Sequence, residues 1–327
     1  RVTGDETRAR AHDAAGFTVV RDPPSGRLVY ADLVGGRLVS TPIEALSGNP
    51  AAAGIVPGIR DPTTPIPSPR SRGMRMSGQM PSSGTVTGLV VFVSFADEEI
   101  FPEALADWND LFVSADPAVR SVRNYYSEVS RGALEVRSLF LPPPAGDQIA
   151  FYVDPNPRPY YVQKDGGNPW GYETDAQAVD RERALLRAAL DAVAPLVPGD
   201  ADLDADDDGY VDNVIFVCTG FPTVWSGLLW PHQWELPDGP TIGGAKVLAY
   251  NVQFTTIRLL SPSVFLHEMF HSIGSPDLYH YSHDGLDPTG PWDVMGTSQM
   301  YAPHMLAHMK QLYGGWLPPL AEITAPG

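Results

Sequence analysis

Near the N-terminus, apolar residues come in short runs separated by turn residues. Phe17-Thr18-Val19-Val20 and Arg27-Leu28-Val29-Tyr30 flank a Pro-Pro-Ser-Gly stretch, and Gly35-Gly36 precedes Arg37-Leu38-Val39. Such runs predict hairpins, so residues 1–47 are expected to form a small β-rich unit. Residues 48–84 lose the pattern. Pro, Gly, Ser and Ala dominate there, punctuated by Arg60, Arg70, Arg72 and Arg75. That is the composition of an extended linker, and an exposed Arg-rich linker is easily cut by proteases.

From residue 85 to 327 the pattern becomes that of one larger α+β domain. Residues 88–95 and 213–219 are continuous apolar runs, expected as buried strands, and a further strand begins at Ala133-Leu134-Glu135-Val136. Residues 248–254 are expected to form an edge strand. Helical spacing puts Val122, Tyr125, Tyr126 and Val129 on one face of residues 118–129. It also puts Ala178, Leu185, Leu186, Leu190 and Val193 on one face of residues 175–194, where Pro195 ends the helix. A last helix holds Val264, Phe265, Leu266, Met269 and Phe270, with Ser261 as expected N-cap and Pro262 at its first position. After Gly274 the tail is rich in Tyr, His, Pro and Met, with little periodicity.

That last apolar helix carries polar residues at a spacing that implies chemistry: His267-Glu268-Met269-Phe270-His271. Residues four apart on a helix lie one above the other, so both imidazoles can grip one zinc ion. Glu268 then stands beside the open coordination position, where a general base belongs. Gly274 lets the backbone leave the helix by a left-handed turn. Asp277 can then return as third ligand. Three protein ligands and one free position are the layout of a catalytic zinc.

A second cluster, Asp204-Ala205-Asp206-Asp207-Asp208-Gly209-Tyr210-Val211-Asp212, resembles an EF-hand loop in its alternating carboxylates and its Gly. Ile215 stands where the bidentate Glu would be, and the flanks read helix then strand, so a true EF-hand is not expected. The reading is a turn stabilised by Ca2+, held by Asp204, Asp206, Asp208 and Asp212 with the Tyr210 carbonyl.

Composition narrows the partners. The 327 residues are 43% hydrophobic, ordinary for a globular chain, and carry a net charge of −17. Nucleic acid and anionic membranes would be repelled. No apolar run reaches the roughly 18 residues of a membrane span. The single cysteine, Cys218, lies in an apolar stretch and cannot form an internal disulfide. The sequence opens at Arg1-Val2-Thr3 without a Met or a signal segment, and reads as a processed product.

Several stretches together resemble the immune inhibitor A-like family of secreted bacterial zinc metallopeptidases. They are Tyr125-Tyr126-Ser127-Glu128-Val129-Ser130-Arg131-Gly132, Asp206 to Asn213, Trp230-Pro231-His232-Gln233-Trp234, the HExxH segment through Asp277-Leu278-Tyr279, Pro291-Trp292-Asp293-Val294-Met295-Gly296, and Gly314-Gly315-Trp316. The N-terminal Gly4-Asp5-Glu6 and Gly16 to Val20 resemble that family's prosegment. The resemblance covers most of the chain. It implies a zincin, metzincin-like fold with a twisted mixed sheet, a backing helix and an active-site helix. It also implies extracellular secretion as a zymogen, protein or peptide substrates, and an N-terminal segment that acts as inhibitor. It gives Met295 the role of a Met in a tight turn beneath the zinc.

On this reading Glu268 moves protons between water and the leaving amine. A second donor for the oxyanion is expected, with Tyr301, Tyr279 and His232 as candidates. Asp293 rivals Asp277 as third ligand, though its place suits a structural hydrogen bond. Asp61 is the carboxylate best placed in the linker to block the metal. Two alternatives remain: a zinc hydrolase of another amide, and an inactive calcium-dependent surface or adhesion module.

Overall fold

The structure, a computed structural model, describes residues 2–5, 8–13, 15–22, 27–35, 37–45, 47–59, 78–98, 103–219, 231–260, 262–279, 288–296 and 302–319. The chain divides into two compact units, Arg1–Met74 and Arg75–Gly327.

In the first unit the short runs pair in sequence order. Strands β1 (Val2–Asp5), β2 (Arg8–His12), β3 (Thr18–Arg21), β4 (Leu28–Val34) and β5 (Arg37–Glu44) form one antiparallel meander. β3 and β4 are the strands expected around the Pro-Pro-Ser-Gly stretch. Val29, Tyr30 and Ala31 of β4 are buried. The Thr18 hydroxyl donates to the Ile59 carbonyl at 3.0 Å, tying the end of the unit's described chain back to the meander.

The second unit begins its sheet with β6 (Gly84–Phe95), followed by α1 (Leu105–Phe112), α2 (Val122–Val129), β7 (Leu134–Leu141), β8 (Tyr152–Asp154), α3 (Asp175–Val193) and β9 (Val214–Cys218). Then come β10 (His232–Glu235), a small ribbon of β11 (Thr241–Ile242) and β12 (Ala245–Lys246), β13 (Ala249–Phe254), α4 (Ile257–Leu260) and α5 (Ser263–Ser272). The large sheet runs β10-β13-β9-β6-β7, with β8 on the far end of β6. Its pairs are parallel except β10 with β13, which is antiparallel. The fold is a mixed α/β arrangement.

Two features differ from the sequence-based expectation. The stretch 78–84 is not linker. Met80 is fully buried among the core residues of the second unit, and β6 starts at Gly84, because Val86 and its neighbours pair with β7. The strand expected at the edge, β13, instead lies inside the sheet between β10 and β9, with every residue buried. The edge belongs to β10, whose Trp234 and Glu235 are exposed.

Strand alternation sorts the helices onto two faces. Tyr250 of β13 donates to Glu182 of α3 at 2.6 Å, whereas its neighbour Asn251 donates to Ser272 of α5 at 3.1 Å. So α3 backs one face and α5 covers the other. The long helix starts at a Thr174 cap that accepts from the Gln177 amide. It buries Ala178, Leu185, Leu186, Leu190 and Val193 as expected. On the α5 face, Phe92 meets Trp108 and Phe112 meets Phe265 edge to face, with centroids 4.9 Å and 5.5 Å apart, while Trp108 and Phe112 stack. Tyr126 of α2 donates to the Leu266 carbonyl at 2.6 Å, and Trp316 stacks on Phe270. The helix with the two histidines is therefore held from the sheet, from α2 and from the C-terminal Trp. Among the described residues no helix is long and apolar enough to cross a membrane.

Candidate metal centre

Helix α5 is apolar on nearly every side, so its polar residues are buried by the packing around it. His267 and Glu268 are 5% and 7% exposed, which leaves them little water to bond. The helix begins next to Pro262, and the expected cap Ser261 lies outside the described residues. The spacing of four brings the His267 and His271 rings to a centroid distance of 4.8 Å, with their Nε2 atoms 3.2 Å apart.

The chain then leaves the helix. Gly274 takes φ +102°, a conformation L side chains rarely adopt, and its amide donates to the His271 carbonyl. This turn carries Asp277 back toward the rings. Asp277 Oδ1 lies 2.8 Å from His267 Nε2 and 3.3 Å from His271 Nε2. A carboxylate oxygen of Glu268 and one nitrogen of each imidazole lie within 4.8 Å of one another. The structure thus brings all four residues together.

The outer partners decide which ring nitrogens are available. His267 Nδ1 is 2.8 Å from the Val294 carbonyl, and His271 Nδ1 is 2.7 Å from the Ser275 carbonyl. A carbonyl only accepts, so each Nδ1 carries the proton. Both Nε2 atoms then face the shared space, where each meets Asp277 Oδ1, an orientation that suits metal ligation once Nε2 gives up its proton. Burial pulls the His267 imidazole down, yet the hydrogen bond to Asp277 and the Glu268 charge outweigh it and lift it to about 9. Burial alone would raise Asp277, but hydrogen bonds from His267 and His271 hold its carboxyl well below the usual range. Two nitrogens and one carboxylate oxygen are a donor set suited to Zn2+.

Residues 293–296 form a tight turn beside this centre, closed by the Gly296 amide on the Asp293 carbonyl at 3.0 Å. Val294 supplies the carbonyl for His267. Met295, fully buried, accepts the Leu278 amide on its carbonyl at 2.8 Å, next to Asp277. One turn therefore braces both a histidine and the segment with the third donor. Asp293 is occupied in this turn. Its oxygens accept the Met295 amide at 2.8 Å and the Leu306 amide at 2.7 Å. Burial raises its carboxyl, and those amides pull it back.

The remaining candidates are scattered. The Tyr279 ring stacks on His267, with centroids 6.1 Å apart. His232 is not at the centre. Its register opposite Val252 turns it to the α3 face, where Nε2 lies 3.1 Å from Glu182. Tyr301 and Asp61 lie outside the described residues. Burial pushes the Cys218 thiol up to about 12, which keeps it protonated.

In the acidic loop, carboxylate oxygens of Asp204, Asp206 and Asp208 lie within 4.8 Å of one another. Asp204 accepts the amides of Asp208 and Gly209, both at 2.9 Å, and Asp208 accepts those of Tyr210 and Gly78. Asp212 is not among these three carboxylates. Asp212 accepts the Ala205 amide at 2.9 Å, and Tyr210 bridges to Lys246.

Sequence reasoning passed over Glu182, a buried carboxylate on α3 that accepts from Tyr250 and contacts His232. The signal was present: a charged residue stands on an otherwise apolar stripe. Burial, then the Glu182 charge, push the Tyr250 phenol far above its ordinary value, which keeps it a donor.

No family model matches the sequence, and no curated protein matches it. Among solved structures, the chain is similar to wild-type OgpA from Akkermansia muciniphila, at 13% identity and a TM-score of 0.33. The match covers 73% of this chain and 62% of that one, a likeness too slight to carry an argument.

Proposed function

We propose that the chain is a zinc-dependent endopeptidase of metzincin-like type. The observation that carries this reading is the convergence of His267 Nε2, His271 Nε2 and Asp277 Oδ1 within 3.3 Å of one another, with Glu268 alongside. A zinc ion bound there supplies Lewis acidity, acidifying water and polarising a carbonyl. Glu268 takes a proton from the attacking water and passes it to the leaving amine, so no proton is left over. The backbone carbonyls of Val294 and Ser275 hold both imidazoles in the tautomer that ligation requires. Among the described residues β10 is the edge strand, the place where an extended peptide would add to the sheet.

Secretion as a zymogen belongs to the same proposal. Residues 1–47 would act as prosegment, with cleavage near Arg70, Arg72 or Arg75 releasing the activity. The experiment is casein digestion by the purified chain, before and after limited trypsin treatment. Cleavage that stops with a chelator and returns with zinc is expected. Casein left intact under every condition, with zinc bound, would favour the hydrolase of another amide.

The acidic loop is proposed as a structural Ca2+ site built on Asp204, Asp206 and Asp208. A cation that binds only the folded chain raises the melting temperature as its concentration rises, by about 2.7 kcal/mol of stability at 100 times Kd. Metal-stripped protein should therefore melt higher with added calcium. An unchanged melting temperature would make the loop a turn held by its own amides.

A further inference from the structure

The acidic loop and the end of the metal helix are joined by three residues. The Gly78 amide donates to Asp208 Oδ2 at 2.8 Å. The Met80 amide donates to the Ser272 carbonyl at 2.9 Å, and Ser272 follows His271 directly. Between them Gln79 lies against the turn: a Cβ on Gly274 would meet Gln79 Nε2 at 2.6 Å. Met80 is fully buried and pins the strap to the core. Gly78 takes φ +79°, and a Cβ there would meet Leu248 Cδ2 at 2.9 Å, so the strap is fitted closely at its start as well.

The strap ends where the third donor is delivered. Ser272 offers one of the last helical carbonyls, which has no partner inside the helix. Met80 satisfies it. On the other side, Asn251 donates to Ser272 Oγ at 3.1 Å and to Asn213 Oδ1 at 3.0 Å. The turn from Ser272 to Asp277 is therefore clamped between sheet and strap. Ligand constellations tolerate misplacement of only about 0.5 Å, so what fixes this turn fixes the centre.

We infer that Gly78, Gln79 and Met80, anchored on Asp208, form a positioning strap that holds Asp277 against His267 and His271. The strap makes Asp208 a positioning residue for a centre whose donors it does not touch. Arg70, Arg72 and Arg75 all lie N-terminal to Gly78, so cleavage after any of them leaves the strap attached to the second unit. The inference rests on reading those three donors as a zinc centre.

The test uses the full chain in calcium-free buffer, as wild type, Asp208→Ala and Asp208→Asn. Asn keeps one oxygen, enough for the Gly78 amide only if the Tyr210 amide loses its acceptor, and Ala keeps none. Two readouts are taken: amide hydrogen exchange of residues 272–279 in metal-free protein, and zinc release to a chelator from loaded protein. Asp208→Ala should speed exchange in that segment selectively and speed zinc release, by less than the roughly 10–100-fold that follows loss of a ligand's direct outer-shell partner. Asp208→Asn should fall between wild type and Asp208→Ala in both readouts. Exchange and release both unchanged in Asp208→Ala would overturn the inference, as would faster exchange spread evenly over the chain. If wild type takes up no zinc while exchange at 272–279 still rises selectively, the strap stands and the zinc reading fails.

Discussion

Glu268→Gln should leave the chain fully loaded with zinc and lower peptide hydrolysis on the order of 10²–10⁴-fold, the usual contribution of a general base. Gln matches Glu in shape but cannot accept the proton. Glu268 is 7% exposed on α5, directly after His267 and beside the shared space. The donors are untouched by the exchange, so metal content and KM should hold while kcat falls. A rate within a few-fold of wild type, at full zinc content, would put the base elsewhere.

Asp277→Ala should strip the centre of its third donor and weaken zinc binding more than the roughly 10–100-fold that follows loss of an outer-shell partner. The carboxylate is held ionised against burial by the two histidines it faces. Without it two neutral imidazoles remain, a set of donors too small for a tight zinc site. Asp293→Asn serves as the contrast. Asp293 spends its oxygens on the Met295 and Leu306 amides, so its exchange should disturb the turn and stability before it disturbs zinc. Full zinc retention in Asp277→Ala would move the third ligand to another residue.

The donors were legible in sequence because helix geometry fixes them locally. Residues 267 and 271 must share a face of any helix, and Gly274 marks the turn that follows. The strands of β6 and β9 and the stripe of α3 were legible for the same reason, since strand and helix periods differ. What was hidden lies in backbone groups or depends on distant chain. The partners of the imidazoles are the backbone carbonyls of Val294 and Ser275, which carry no side-chain signature. The Pro- and Gly-rich stretch 48–84 read as linker, yet Met80 is core and its amide bonds the Ser272 carbonyl. The order of β10, β13 and β9 is set by a pairing between segments, so residues 248–254 alone could not reveal that they lie one strand in from the edge.

The central claim is a zinc ion held by His267, His271 and Asp277. The zinc-edge X-ray absorption spectrum of the purified chain tests it most directly. The account predicts near-stoichiometric zinc with two imidazole nitrogens and carboxylate oxygen at about 2.0–2.2 Å. A chain that takes up no zinc, or a shell with fewer than two imidazoles, would contradict it.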